Sequence, residues 1–258
     1  MTLSKARLKY LRSLRQKKFR DQEKKFIAEG FRLVSEALSS NFAVELVLYT
    51  SDFLKKPEHA RLIQGCREQG IEKNEISTGD LDSFADTVTA QGIAALVHQR
   101  ESSVADLRRD SRERQLILAL DSVSEPGNVG AIIRTGDWFG VSAVLLGTGT
   151  VELYNPKVVR STMGSLFHLP IITNIDLANV AKDLRQQGFR ILLEPGVLEG
   201  DARHPAKHLQ EILLVMPPGH DQHPYRPRCR KRLRRGDQEQ YCRAEPHQIA
   251  SRSHESCQ

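Results

Sequence analysis

Four cysteines among 258 residues, no two of them close in sequence, leave no basis for a disulfide framework. The scattered Cys229, Cys242 and Cys257 lack any Cys-x-x-Cys pair, so no metal site is expected. Apolar runs are short and strand-sized, such as 116–120, whereas a membrane-crossing helix needs about 20 apolar residues. The first 25 residues carry too much charge for a secretory signal. Together these absences make the cytoplasm the expected compartment. Aromatic residues amount to only 6%, which gives base stacking little to work with. The turn around Pro126 has neither the Gly-x-Gly-x-x-Gly nor the Gly-Lys-Ser/Thr pattern, which argues against an ordinary dinucleotide or P-loop enzyme.

What is present suits one large or two modest soluble domains, with 39% apolar and 27% charged residues. The net charge of +6 is unevenly placed. Residues 1–20 hold Lys5, Arg7, Lys9, Arg12, Arg15, Lys17, Lys18 and Arg20 without a single acid. Clustered cations gain most against a polyphosphate, where each neutralised phosphate releases counterions. A merely solvated basic helix face is the alternative. Leu3, Leu8, Leu11 and Leu14 give this stretch a roughly helical apolar spacing.

Beyond it, strands expected at 26–30, 44–49, 75–77 and 92–98 alternate with helices at 31–38, 61–70 and 81–86. The charged segment 101–114 reads as a linker. A second series follows: strand 116–120, helix 128–139, strand 143–146, helices 157–163 and 176–187, and strands 190–193 and 212–216. Alternating strands and helices imply an α/β fold, and helical crossovers imply a parallel sheet with ligands at the carboxyl ends of its strands.

The stretch 118–140 carries most of the chemistry. A buried strand ends at Asp121, Glu125-Pro126-Gly127 forces a turn, and Asn128 reads as the helix N-cap. Gly130 permits a close backbone approach, and Arg134 lies about a turn and a half into the helix. Backbone donors at a helix start together with a guanidinium suit a sugar-phosphate. An arginine paired with a surface carboxylate is the plainer alternative.

Asp121, Pro126, Asn128, Gly130, Arg134 and Thr135 resemble the first motif of the SpoU/TrmH group of SPOUT RNA methyltransferases. The run from Asn155 through Arg160, Gly164, Ser165 and Pro170 is similar to the segment that follows in that family. Lys17-Lys18-x-Arg20, Phe26-x-x-Glu29-Gly30, Glu36-Ala37 and Gln91-Gly92 resemble its L30e-like substrate-binding domain. The resemblance implies an L30e-like α/β domain over 1–100 and a SPOUT parallel-sheet domain over 115–216. It also implies S-adenosylmethionine as methyl donor, a ribose 2′-hydroxyl of ribosomal or transfer RNA as acceptor, and a homodimer. Arg134 matches the family's catalytic arginine. Arginine stays charged at neutral pH, so its expected role is to stabilise the transition state and the phosphate rather than to act as base. Asn128 is expected to orient Arg134 or the substrate. Lys17, Lys18, Arg20, Arg160 and Ser165 are expected at the RNA.

After Met216 the pattern breaks. Residues 217–258 hold only two branched aliphatic side chains, Leu233 and Ile249, too few to offset the entropy of ordering, so the tail is expected to be disordered. The family's cofactor loops and final helix have no counterpart there, which leaves the expected trefoil knot incomplete and the cofactor-binding residues unknown. A change of reading frame near Met216 is the expected cause, with a genuine alternative ending as the other. A catalytically dead RNA-binding remnant is the competing functional reading.

Overall fold

The computed structural model describes residues 3–86, 91–107, 115–194 and 211–216. The first sheet has the order β1-β4-β2-β3, from β1 (Lys25–Glu29), β2 (Val44–Tyr49), β3 (Glu72–Glu75) and β4 (Ile93–His98). β4 is central and buried on both faces from Ile93 to Val97, as a strand of continuous apolar composition must be. One face is covered by α1 (Lys5–Ser13) and α5 (Thr78–Phe84), whose Leu8, Leu11, Leu81 and Phe84 pack on Leu46, Leu48 and Leu96. The other face is covered by α3 (Phe31–Leu38) and α4 (Pro57–Glu68), through Leu33, Val34, Ile63 and Cys66. β3, Glu-Lys-Asn-Glu, forms a polar edge three residues earlier than its expected place. Charged edges discourage strand addition.

The helical run expected over the first 20 residues is two helices. α1 ends at Ser13, Gln16 is extended, and α2 runs Lys17–Glu23. That break turns Arg20 back toward the chain it has just left.

The second sheet has the order β7-β6-β5-β9-β8, from β5 (Ile117–Asp121), β6 (Ala143–Gly147), β7 (Ile171–Ile175), β8 (Arg190–Glu194) and β9 (Glu211–Met216). β5 and β6 are parallel, as expected, as is β7 beside β6, and the three are joined through α6 (Pro126–Trp138) and α7 (Pro156–Ser161). α8 (Leu177–Gln186) leads to β8. β9 runs against both of its neighbours, β5 and β8. An apolar run specifies a buried strand but not its direction, and an antiparallel partner needs no helical crossover. β7 was not expected: its Ile171-Ile172 is followed at once by the exposed Thr173 and Asn174.

The two sheets share one core. Phe26 of β1 lies 4.7 Å from the ring of Tyr154 and 6.3 Å from that of Phe167, and Phe42 meets Phe167 edge-on at 5.0 Å. The expected linker is described as far as residue 107 and includes a short 3-10 turn, Val104–Asp106. The expected knot, the disordered tail and the frame change concern segments 195–210 and 217–258, which lie outside the described residues.

Candidate active site

β5 delivers Asp121 to the carboxyl edge of its sheet. Ser122 then takes a left-handed φ of 53°, and its hydroxyl donates to Asp121 Oδ1 at 3.1 Å. α6 starts at Pro126, whose fixed φ and missing N–H suit a first helical position. The cap is therefore Glu125, which accepts from the Gly127 N–H at 3.3 Å and from Lys157 Nζ at 2.6 Å. Asn128 is not the cap, contrary to expectation, because the proline moved the helix start two residues earlier. The Lys157 ammonium, with help from the Gly127 N–H, holds the Glu125 carboxyl below the usual carboxylate range. Lys157 sits inside the quoted family segment, yet charge pairing across two helices gave the sequence reading no signal for it.

Asn128 and Arg134 both face solvent on α6. Six residues separate them, about 9 Å along the axis and roughly a third of a turn around it. No hydrogen bond joins them, so Asn128 does not orient Arg134 as expected. Arg134 makes no ion pair with any described residue and is open to an incoming anion.

Gly130 is a packing glycine. A methyl there would stand 2.8 Å from the Val158 carbonyl oxygen and collide with the Ser161 side chain, so α6 and α7 meet backbone to backbone. The expected close approach is thus made by a helix.

Two of the expected RNA contacts are corrected. Arg20 is only 3% exposed: Nε and Nη2 grip the Glu152 carboxylate at 3.0 and 2.6 Å, and Nη1 donates to the Leu14 and Arg15 carbonyls at 2.9 and 2.7 Å. With these donors engaged inside the protein, Arg20 binds the first domain to the second and not to RNA. Ser165 is also buried, in the short turn Ser165–Phe167 behind α7, where a phosphate cannot reach it.

Arg160 bridges the domains too, donating to Asp86 Oδ2 at 2.6 Å, but keeps 29% of its side chain exposed. Lys17 and Lys18 are exposed at the start of α2, with no ion pair to a described residue. An unexpected bridge is His168, whose Nδ1 faces Asp137 Oδ2 at 2.7 Å and whose Nε2 faces Glu36 Oε2 at 3.0 Å. Beside it Gly164, at φ 104°, lies so close to Glu36 that any side chain would collide.

A small mixed sheet fused to a mainly parallel one, whose first strand feeds a proline-started helix bearing an arginine with no ion pair among the described residues, is the architecture of a two-domain RNA methyltransferase. Residues 5–95 match the MRM3-like substrate binding domain, and residues 115–216 match the SpoU rRNA Methylase family. The chain is 34% identical over 185 residues to the 23S rRNA (guanosine(2553)-2′-O)-methyltransferase RlmP of Bacillus subtilis, covering 72% of this chain and 68% of that protein. It is 31% identical to rRNA methyltransferase 3A, mitochondrial, of Danio rerio, over 66% of this chain but only 38% of the fish protein. An AdoMet-bound rRNA methyltransferase from Sinorhizobium meliloti superposes with a TM-score of 0.61 at 28% identity, over 71% of this chain and 68% of that one. This chain belongs to the SpoU rRNA methylase family of S-adenosylmethionine-dependent RNA 2′-O-ribose methyltransferases.

At the carboxyl edge of β6, the space above Gly147 is filled by Leu177 and Asp121, and that above Gly149 by Ser122. Both glycines are therefore positions where a side chain would collide with its neighbours. The family-expected cofactor loops follow Met216, outside the described residues.

Proposed function

We propose that this chain methylates a ribose 2′-hydroxyl of ribosomal RNA and that it does so as a homodimer. The observation that carries the reading is Arg134: an exposed guanidinium without a counter-charge among the described residues, on the helix that the family motif specifies. S-adenosylmethionine supplies an electrophilic methyl group on a sulfonium. The tasks left to the protein are to hold the ribose in place and to favour loss of the hydroxyl proton. Arg134 does the second by stabilising charge on the ribose oxygen and the adjacent phosphate. Asn128, a turn and a half earlier, offers an amide to the substrate backbone rather than to Arg134. Lys17, Lys18 and the exposed part of Arg160 would draw in phosphate.

The dimer is supported by Trp138 and Phe139, adjacent aromatics at the end of α6 that are 63% and 46% exposed. Large apolar side chains left in water side by side mark an interaction surface.

The test combines two measurements on the purified chain: calorimetry with S-adenosylmethionine, and transfer of labelled methyl to ribosomal RNA. Donor binding with transfer that fails in Arg134→Ala is the expected result. RNA retention without transfer by the unaltered chain would overturn the catalytic reading and leave an RNA-binding remnant.

A further inference from the structure

A cleft between the two domains shares only Arg160 with the RNA surface described above. It encloses about 140 Å³ between the start of α3, α5, the start of β4 and the end of α7. Its floor is apolar, built from Leu33, Leu81, Ala85 and Ile93, all buried. Its rim is not. Arg32, exposed in the first turn of α3, makes no hydrogen bond or ion pair with any described residue. Gln91 lines the same cleft with its amide oriented: Oε1 accepts the Phe31 N–H at 3.1 Å, which leaves the Nε2 donors without a partner among the described residues. Met163 stands at the opposite rim, 39% exposed and held at a φ of 52°.

An apolar slot beneath a guanidinium and an amide donor that have no partner among the described residues is complementary to a flat heterocycle tethered to a phosphate. Unstacked RNA bases are held in this way, against apolar or guanidinium surfaces with hydrogen bonds to their edges. A purely apolar partner would leave Arg32 and the Gln91 amide unanswered. The position also fits. α7 carries Arg160 to the cleft, Met163 follows two residues after its end, and α7 touches α6 at Gly130, one turn before Arg134. A strand of RNA crossing Arg134 therefore has the cleft within reach one helix away.

We infer that this interdomain cleft takes one unpaired nucleobase flanking the methylated nucleotide, with the base on Leu33, Leu81 and Ala85, its edge on Gln91 and its phosphate on Arg32. The inference rests on the RNA reading above and adds to it a base-reading subsite. It makes Gln91 a specificity-determining residue, and its exposed rim Arg32 the phosphate contact.

The experiment irradiates the full chain with single-stranded oligoribonucleotides carrying 4-thiouridine and maps the crosslinked peptides. Crosslinks in peptides containing Leu81, Ala85 or Met163 are expected. Ala85→Leu, which fills the floor, should lower their yield on the order of tenfold, the scale of one lost base contact. Met163→Asn alters the rim without touching the core, and asparagine tolerates its left-handed backbone, so it repeats the test if the leucine variant does not fold. Arg32→Ala should weaken binding of the same oligonucleotides and lower the slope of log affinity against log salt by about 0.7. Crosslinks confined to other surfaces, or a yield in the cleft unmoved by both Ala85→Leu and Met163→Asn, would overturn the inference. Failure of the unaltered chain to bind any of these RNAs is a different result: it removes the RNA reading itself.

Discussion

The seam between the domains and the outer face of α6 use the same residue types in opposite ways. Across the seam Arg20 has Glu152, Arg160 and Arg15 share Asp86, and the His168 ring lies between Glu36 and Asp137. Arg134, Lys17 and Lys18 on the outer surface, and Arg32 at the rim of the cleft, are exposed with no such partner among the described residues. A paired, buried arginine contributes to the fold, and removing it strands a charge. An unpaired, exposed one contributes almost nothing to the fold and is free for a ligand. The difference separates two roles that an arginine count merges.

The comparison breaks most sharply at Arg20. Arg20→Ala leaves Glu152 facing a vacated interior and should destabilise the protein by about 3–5 kcal/mol, measured by urea unfolding. Arg134→Ala is the mirror case. It should cost about 10²–10³ in the rate of methyl transfer while changing unfolding free energy by less than about 0.5 kcal/mol. If both variants lost stability alike, the division between strut and catalyst would fail.

A smaller effect lies with Tyr154, whose hydroxyl donates to the Arg100 carbonyl and accepts the Arg100 N–H, both at 2.9 Å. Burial pushes its pKa up to about 12, above the usual value near 10. Because the folded protein holds this proton more tightly than the unfolded chain, the contribution is complete below about pH 10. It is lost as pH rises toward about 12, and amounts to about 2–3 kcal/mol. Alkaline denaturation of Tyr154→Phe should lack that component. Smallest of all, Lys17→Ala with Lys18→Ala should leave the melting temperature in place and reduce the salt slope of RNA binding by about 1.4.

Much of this fold can be read from periodicity. The apolar spacing that marks 31–38, 44–49 and 116–120 is the spacing that fills the core, and these elements stand within a residue of their expected bounds. β7 was missed because only two of its five residues are buried, too few for an alternation to show. The opposed direction of β9 was not legible at all, since direction is decided by hydrogen bonding between strands. At the site, the motif located α6 and Arg134 but misjudged Asn128, because the competition between a proline and an asparagine for the helix start turns on two residues. Arg20 misled for a different reason. Its carbonyl acceptors, Leu14 and Arg15, exist only because the helix breaks between 14 and 16, and its carboxylate is 132 positions away. Charge composition reports how many cations there are and says nothing of which find partners.

Phe26 is contributed by one sheet and packed by residues of both. Severing the chain between 101 and 114 would therefore not yield two proteins but two damaged halves, each with an aromatic face in water. Heat should take both sheets apart in one calorimetric peak. It also constrains how RNA is received: the shared aromatic core ties the spacing of the two domains' outer surfaces to the packing around Phe26, so a substitution there should be felt by the RNA.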